Sequence, residues 1–133
     1  MEKELILCDT DIMIDYWNTK QPRNLVTVSK INIEIGLNNV VISAITKLEL
    51  LAGVANKKNL DLLNNKLSRF NIALINNETT IKAFELMVKY RLSHGLALPD
   101  CLIAATAIIN NFELFTYNQK DFKFISSLKL YKF

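Results

Sequence analysis

Short apolar runs separated by longer stretches of helical periodicity constrain the fold of this chain most. Residues 5–8, 40–43 and 72–75 form nearly continuous apolar runs that are rich in β-branched side chains. Runs of this length are typical of strands covered on both faces. Weaker candidates follow at 114–117 and 128–131. The pattern predicts a mainly parallel sheet with right-handed crossovers and helices on both faces.

Apolar residues at helical spacing predict the elements between the strands. Two series have this spacing: Leu60, Leu63, Leu67 and Phe70, and then Ile81, Phe84, Val88 and Leu92. Gly95 predicts the end of the second helix, because glycine tolerates the positive φ found just past a helix C-terminus. Pro99 suits the first turn of a further helix, which we expect to run to about Asn110.

Segment 26–37 is ambiguous by periodicity. Its apolar residues recur mostly at every second position, which by itself is typical of a strand. They are Val26, Val28, Ile31, Ile33, Ile35 and Leu37. The residues alone leave a strand and a helix open here.

Length and cysteine content indicate one self-sufficient domain, which we expect to span residues 1–133. A chain of this size can bury roughly two thirds of its unfolded surface, so it needs no disulfide or structural metal. Cys8 and Cys101 lie far apart, form no CxxC pair and are accompanied by a single histidine. These features exclude a zinc site and predict two reduced, buried thiols.

Membrane, secreted and strongly basic classes are not indicated. The longest nearly apolar stretch, 101–109, is far shorter than the roughly 20 residues that span a bilayer. Residues 1–4 precede only four apolar residues and are too acidic to begin a secretory signal, so we expect a cytoplasmic protein. The net charge of +3 is compatible with a polyanionic partner but too small to require one.

Acidic residues follow the predicted strands. Asp9 directly follows the first strand, with Asp11 two residues later, and Glu49 lies about one turn into the helix after the second. Asp100 lies in the first turn of its helix, and Asp121 follows the strand near 116. Ligands bind outside the carboxyl ends of the strands in an open parallel sheet, so acids located there are candidates for a site.

Carboxylates that converge would repel one another unless a cation neutralised them. Mg²⁺ or Mn²⁺ accepts a few carboxylates with retained waters, and such a site can activate water for attack on a phosphodiester. A structural role remains open for each acid alone, since Asp11 and Asp100 suit a helix N-terminus and Asp121 suits a turn. His94, the only histidine, is expected at a helix C-terminus rather than in catalysis.

Four segments together resemble the PIN domain family, and most closely its VapC-type toxins of bacterial type II toxin–antitoxin modules. They are 5–15 (LILCDTDIMID), 42–53 (ISAITKLELLAG), 99–107 (PDCLIAATA) and 116–122 (TYNQKDF). The resemblance implies a single-domain α/β/α sandwich and a Mg²⁺- or Mn²⁺-dependent endoribonuclease that cleaves a structured RNA such as tRNA or ribosomal RNA. It also implies a cognate VapB-like antitoxin, a homodimer, and a helix near 26–37.

Carried over from the family, the acidic positions are Asp9, Glu49, Asp100 and Asp121. Asp9 and Asp100 would be the principal metal ligands, and Glu49 would bind directly or through water and help to deprotonate the nucleophile. Asp121 would bind a second ion or position a water. Three accessory residues complete the set: Asp11, which stands where the family more often has Asn, and the polar Thr116 and Asn118.

Two other functions remain open from the sequence. Asp9 and Asp11 after a strand also fit haloacid-dehalogenase-like phosphatases, in which the first Asp is a nucleophile and the second an acid/base. That family expects Thr or Val where Met13 stands, and its later lysine and paired acids cannot be placed here. The other function is a non-catalytic interaction protein that retains the PIN fold.

Overall fold

Four short parallel strands form the central sheet of the computed structural model, which describes residues 4–133. The strands are β1 (Ile6–Cys8), β2 (Val40–Ser43), β3 (Asn71–Ala73) and β4 (Glu113–Phe115), in the order β3-β2-β1-β4. All three pairings are parallel, which confirms the predicted sheet. Residues 1–3, on which the expected absence of a secretory signal partly depends, lie outside the described residues.

Six α-helices connect and cover the strands. They are α1 (Thr10–Trp17), α2 (Asn24–Ser29), α3 (Ala44–Ala52), α4 (Lys57–Leu67), α5 (Asn77–His94) and α6 (Leu98–Asn110). Gly95 ends α5 with a φ of +70° and Pro99 lies in the first turn of α6, as predicted. No helix within residues 4–133 has the length and apolar character needed to cross a membrane.

Side chains alternate between the two faces of the sheet and enter two separate hydrophobic clusters. Leu7, Val41 and Leu114 pack on one side with residues of α5 and α6. Cys8 and Ile42 pack on the other side with residues of α1, α4 and the segment after α2. Helices therefore cover both faces, which confirms the α/β/α arrangement. Both cysteines are buried and neither forms a disulfide, as predicted, and Cys101 Sγ donates a hydrogen bond to Ala83 O at 3.2 Å.

Segment 26–37 is helical, so its period-two interpretation as a strand is wrong. Helix α2 continues without interruption into π-helical turns over Lys30–Ile35. The buried residues recur at every fourth position: Thr27, Ile31 and Ile35. Val26 and Ile33, which produced the apparent alternation, are exposed to solvent. Apolar residues on the solvent side of the helix therefore imitated a strand.

The weaker strand predictions near the C-terminus have mixed outcomes. The run at 114–117 overlaps β4, which lies one residue earlier. The strand predicted at 128–131 is wrong, because that segment meets β4 at one bridge, between Leu114 and Leu130. Two backbone hydrogen bonds flank that bridge, from Leu114 N to Lys129 O and from Tyr131 N to Leu114 O.

Candidate acidic site

Parallel pairing places the carboxyl ends of β1, β2 and β4 at one edge of the sheet. Cys8 lies in register with Ile42 of β2 and with Phe115 of β4. The residues that follow these strands therefore become neighbours although the chain separates them widely. Asp9 N donates to Phe115 O at 2.9 Å, which continues the pairing into the loop that carries the first acid.

Asp9 is the most buried of the candidate acids and caps the N-terminus of α1. Its Oδ1 accepts from Thr10 N at 2.8 Å, and its Oδ2 accepts from the Thr116 hydroxyl at 2.8 Å. Burial raises the pKa of Asp9, and the nearby charge of Glu49 raises it further, while the two hydrogen bonds oppose the shift. Thr116, one of the predicted accessory residues, is thus in direct contact with a predicted metal ligand.

Asp11 connects the first turn of α1 to the segment after β4. Its Oδ2 accepts from Tyr117 N at 3.0 Å, whereas its buried Oδ1 has no hydrogen-bond partner among residues 4–133. Burial and then the charge of Asp9 raise the pKa of Asp11 to about 6. An unpartnered buried carboxylate oxygen is costly, so this atom is available to a donor or cation from outside the chain.

Glu49 lies on α3, is exposed, and is tied to α1 by a hydroxyl. Thr10 Oγ1 lies 2.8 Å from Glu49 Oε1 and 3.0 Å from Thr46 Oγ1. Ser43, at the end of β2, caps α3 by accepting from Thr46 N at 3.0 Å. The same hydroxyl cluster therefore fixes the start of α3 and orients the carboxylate of Glu49 toward α1.

Asp100 and Asp121 complete the group of acids. Asp100 is half-buried in the first turn of α6, and Asp121 is exposed in a 3₁₀ turn over Gln119–Asp121. Burial raises the pKa of Asp100 to about 6, with smaller contributions from Asp9, Asp121 and Glu49. Asp100 and Asp121 line one cavity, and Thr10 connects Asp9 to Glu49, so the four acids lie within electrostatic reach of one another.

Asn118 contributes its backbone rather than its side chain. Its N–H donates to Thr116 Oγ1 at 3.1 Å, so the Thr116 hydroxyl accepts from Asn118 while donating to Asp9. The residue itself is exposed. Asn118 therefore fixes the orientation of a hydroxyl that contacts Asp9.

The sequence did not indicate the contacts that hold these acids in place. The Ser43-to-Thr46 spacing is a recognisable capping signal, but nothing marks Thr46 as part of a network that reaches Glu49. Tyr117 N, which binds Asp11, is a backbone donor and has no sequence signal. Asp9 and Asp100 could be found because one directly follows a strand and the other lies in the first turn of a helix, whereas Glu49 and Asp121 could be found only from the resemblance and from their place beyond strands β2 and β4.

Within residues 4–133, no lysine, arginine or histidine forms an ion pair with these acids. The four ion pairs found within residues 4–133 involve Asp15, Glu34, Asp61 and Glu85, none of which belongs to the cluster. In that same part of the chain, no three His, Cys, Asp or Glu side chains are arranged to hold a metal ion together. The acids are thus neighbours without forming a closed cage. Mg²⁺ suits such a set, since it needs one or two carboxylates and keeps several waters.

Comparisons with known proteins agree with the geometry. The family model for the PIN domain matches residues 6–126. Ribonuclease VapC1 of Methanocaldococcus jannaschii is 31% identical over 134 residues, which cover 98% of this chain and 89% of that protein.

Solved structures give the same result. A toxin–antitoxin complex from Klebsiella pneumoniae contains a chain that is 29% identical, with a TM-score of 0.74 over 96% of this chain and 99% of that one. VapBC2 from Rickettsia felis, bound to a DNA fragment from its promoter, is 27% identical, with a TM-score of 0.75 over 97% and 98%.

Proposed function

The chain belongs to the PIN domain family, and we propose that it is a metal-dependent endoribonuclease acting as the toxin of a toxin–antitoxin pair. The observation that carries the proposal is the group of four acids, Asp9, Glu49, Asp100 and Asp121, none of which forms an ion pair within residues 4–133. Buried or crowded carboxylates are costly unless a cation joins them. The ribonuclease relative supports RNA as the substrate.

Asp9 and Asp100 would hold a Mg²⁺ or Mn²⁺ ion, Glu49 would join directly or through water, and Asp121 would bind a second ion or position a water. Asp11 adds a carboxylate oxygen that has no partner in residues 4–133. The bound ion would lower the pKa of a water molecule and neutralise charge on the phosphodiester. The donor set fits because hard divalent cations prefer carboxylate oxygens.

The chain's own residues would orient the acids and move the proton. Thr10 holds Glu49 Oε1, which leaves Oε2 to accept a proton from the attacking water. Thr116 holds Asp9 Oδ2 and keeps that carboxylate directed by two donors. Pre-orientation of this kind lowers the reorganisation required when charge develops on the phosphate.

A structured RNA, such as tRNA or ribosomal RNA, is the substrate we propose, and with it a cytoplasmic site of action. Specific cleavage of RNA depends on shape and on unpaired nucleotides rather than on reading a duplex. The modest net charge of +3 fits a protein that makes few phosphate contacts outside its site.

A VapB-like antitoxin is the proposed regulatory partner. Solved structures similar to this chain are complexes of a toxin with an antitoxin. An arginine from such a partner would pair well with the uncompensated acids and obstruct the site. A groove of about 240 Å³, lined by aromatic residues with Lys66 and Arg69 at its border, offers an apolar and cationic surface for an acidic amphipathic segment of it.

The outer face of α5 supports the proposed homodimer. Its apolar series Ile81, Phe84, Val88 and Leu92 is exposed, with Val88 at 87% and Leu92 at 98% of full accessibility. An apolar helix stripe of this kind is typical of an interface between subunits. Leu92→Glu should therefore shift the partner-free protein from dimer to monomer in light scattering, and an unchanged mass would contradict the use of this face.

Cleavage of RNA by partner-free protein tests the proposal. Discrete fragments from total RNA are expected in Mg²⁺ or Mn²⁺, and they should disappear with EDTA or in the Asp9→Asn, Asp100→Asn double variant. Asp61→Asn, on the exposed face of α4, is the matched control and should cleave normally. Intact RNA with folded wild-type protein, or fragments that persist in the double variant, would refute it.

The two other functions open from the sequence have no support from this geometry. The PIN domain match and the ribonuclease relative favour a nuclease over a phosphatase that uses Asp9 as its nucleophile. All four of the family's acidic positions carry acids and share one region, which does not favour a non-catalytic protein. Turnover of a phosphomonoester through an aspartyl-phosphate, or failure to bind metal, would revive one or the other.

A further inference from the structure

A cavity of about 190 Å³ adjoins the acids and contains residues that the proposed hydrolysis does not use. Asp100 and Asp121 line it on the side of the acidic cluster. The remaining lining comes from His94, Lys120 and Phe124, together with the loop 95–97. An occupant of this cavity would therefore touch two candidate metal ligands on one side and a cationic and aromatic wall on the other.

Phe124 and Ser93 fix the imidazole of His94, and one of its two ring nitrogens has no hydrogen-bond partner within residues 4–133. It stacks on Phe124 with ring centroids 4.4 Å apart and planes at 14°. Ser93 Oγ lies 3.2 Å from Lys89 O, to which it donates, and 2.8 Å from His94 Nδ1, so the hydrogen bond to Ser93 occupies this ring nitrogen. The Nε2 atom has no protein partner among residues 4–133 and is available to a ligand.

The loop between α5 and α6 holds the cavity open. Arg91 Nη1 donates to Gly95 O at 3.3 Å and to Leu96 O at 3.1 Å, which ties the loop back to α5. Leu96 is buried and anchors the loop in the core. The position of His94 relative to Asp100 is therefore set by packed structure rather than by a free loop.

We propose that this cavity binds one unpaired nucleotide of the RNA next to the cleaved bond, an inference that rests on the proposed ribonuclease function. The base would lie against the His94 and Phe124 wall and hydrogen-bond to His94 Nε2. Lys120 would meet an adjacent phosphate. Unpaired bases are recognised in this way, by stacking on aromatic or imidazole rings and by hydrogen bonds to their edges.

Size and charge favour one nucleotide over other occupants. The volume is below the roughly 300 Å³ at which pockets for whole small molecules begin, and so suits one unit of a longer chain. Two carboxylates against one lysine would repel a free anion, whereas a neutral base attached to a phosphate held elsewhere meets no such penalty. Because Asp100 and Asp121 line the same cavity, the bound base would lie beside the phosphodiester bond of the RNA that is cleaved.

The single histidine gives a direct test by NMR. In the partner-free full chain labelled at histidine, the ring Cε1–H signal belongs to His94 alone. Each of the dinucleotides ApA, GpG, CpC and UpU, which carry one phosphodiester charge as RNA does, is titrated at one fixed pH without divalent metal, and inorganic phosphate and ribose 5-phosphate serve as controls. At least one dinucleotide should move the signal saturably, and the two controls should not.

Matched lysine variants identify the cavity as the binding site. Lys120→Gln should weaken dinucleotide binding about 3- to 10-fold, as expected for loss of one partly exposed charge contact. Lys123→Gln, on the exposed side of the same turn, should leave binding unchanged. The inference is overturned if no dinucleotide moves the signal, if phosphate alone moves it equally, or if both lysine variants behave alike.

Kinetics separate failure of this inference from failure of the proposed function. His94→Phe keeps a stacking ring but removes Nε2, so it should raise KM for RNA about 5-fold with little change in kcat. Intact RNA with wild-type protein would refute the ribonuclease function while the NMR result stood. Normal cleavage with an unmoved His94 signal and an unchanged KM in His94→Phe would refute the nucleotide site alone.

Discussion

The two ends of helix α1 each bury an acid, but only one end supplies it with a cation. Asp9 and Asp15 retain 5% and 4% of their accessible surface. Asp15 Oδ2 lies 3.0 Å from Arg23 Nε, whereas the partners of Asp9 are a hydroxyl and a backbone N–H. Burying a charge is costly unless it is paired, so the charge of Asp15 is compensated by an ion pair and that of Asp9 is not, although Asp15 Oδ2 has no hydrogen-bond partner within residues 4–133. The two acids are equally buried, but Asp15 forms an ion pair that stabilises the fold, whereas Asp9 is left with a charge that a bound cation could compensate.

The C-terminal end of α1 is completed by the segment that leads into α2. Asn24 Nδ2 donates to Asp15 O at 2.8 Å and to Tyr16 O at 3.1 Å, which satisfies two carbonyl groups of the last turn. Arg23 also lies over the Tyr117 ring at 4.1 Å. Its charge lowers the pKa of Asp11, yet burial and Asp9 still hold that pKa at about 6. Arg23 therefore forms an ion pair with Asp15 and has only a weak electrostatic effect on the acidic site, through Asp11.

Replacing the acid at either end of α1 by asparagine should have very different effects on the rate of RNA cleavage. Asp9→Asn should reduce single-turnover RNA cleavage by about 10³-fold, or about 4 kcal/mol, because it removes a principal metal ligand. Asp15→Asn should stay within about 3-fold of the wild-type rate below its unfolding temperature. Equal losses of cleavage rate in both variants would contradict the assignment of Asp9 to the metal site and of Asp15 to a structural ion pair.

Loss of the arginine should cost more stability than loss of its partner acid. Arg23→Met leaves a buried, unpaired carboxylate, and we expect the free energy of unfolding in urea to fall by about 2–3 kcal/mol. Asp15→Asn leaves Arg23, whose side chain is 55% exposed and can be solvated, so a loss of about 1 kcal/mol is expected. The reverse order would show that Asp15 does not depend on its ion pair.

Removal of a charge from the acidic site should stabilise the metal-free fold. The pKa of Asp100 is about 6 in the folded protein against an ordinary value of 3.8, so the folded state binds more protons than the unfolded state between these values. The free energy of unfolding then falls as pH rises from about 4 to about 6.

At pH 7, Asp100→Asn should therefore be more stable than wild type by about 1–2 kcal/mol, a figure reduced to allow for solvent screening of a half-buried group. Below pH 4 the two proteins should be equally stable. Thermal melts across this range, with Asp61→Asn as the control, provide the measurement. Destabilisation at pH 7 would mean that Asp100 already has a compensating partner.

Added metal should supply the positive charge that pairs with Asp9 and so stabilise the fold. Mg²⁺ at about five times its Kd should stabilise the wild-type fold by about 1 kcal/mol, because it binds the folded state alone. The Asp9→Asn, Asp100→Asn double variant should show no such increase in melting temperature, and Arg23→Met should show it in full. An equal increase in every variant would indicate ions bound elsewhere.

The positions of the acids could be predicted from the sequence, but the hydrogen bonds and ion pairs around them could not. Asp9 and Asp100 could be placed because a strand end and a helix start are local signals. The contact between Thr10 and Glu49 joins residues 39 positions apart and depends on how α1 and α3 pack. Likewise, neither the salt bridge of Asp15 nor its absence at Asp9 can be read from spacing.

The apolar periodicity predicted where helix α5 lies, but it did not predict which residues of that helix are buried. The series that begins at Ile81 correctly predicted α5, yet it lies on the exposed face, while Ala83, Leu86 and Tyr90 pack inward. Segment 26–37 failed for the same reason, because exposed apolar residues distorted its pattern. A hydrophobic residue on an outer face carries the signal of an interface, and spacing alone cannot distinguish it from a core residue.

The hydrogen bond between Thr116 and Asp9 joins residues 107 positions apart in the chain, and it makes assembly of the site a late event in synthesis. Strand β1 precedes its neighbour β4 by six α-helices and two other strands, so the second edge of β1 stays uncovered until those intervening elements have been synthesised. Such long-range pairing folds slowly compared with local structure. A growing chain on the ribosome therefore has no assembled acidic centre until β4 and Thr116 have been synthesised, and a chain that terminates before them lacks one.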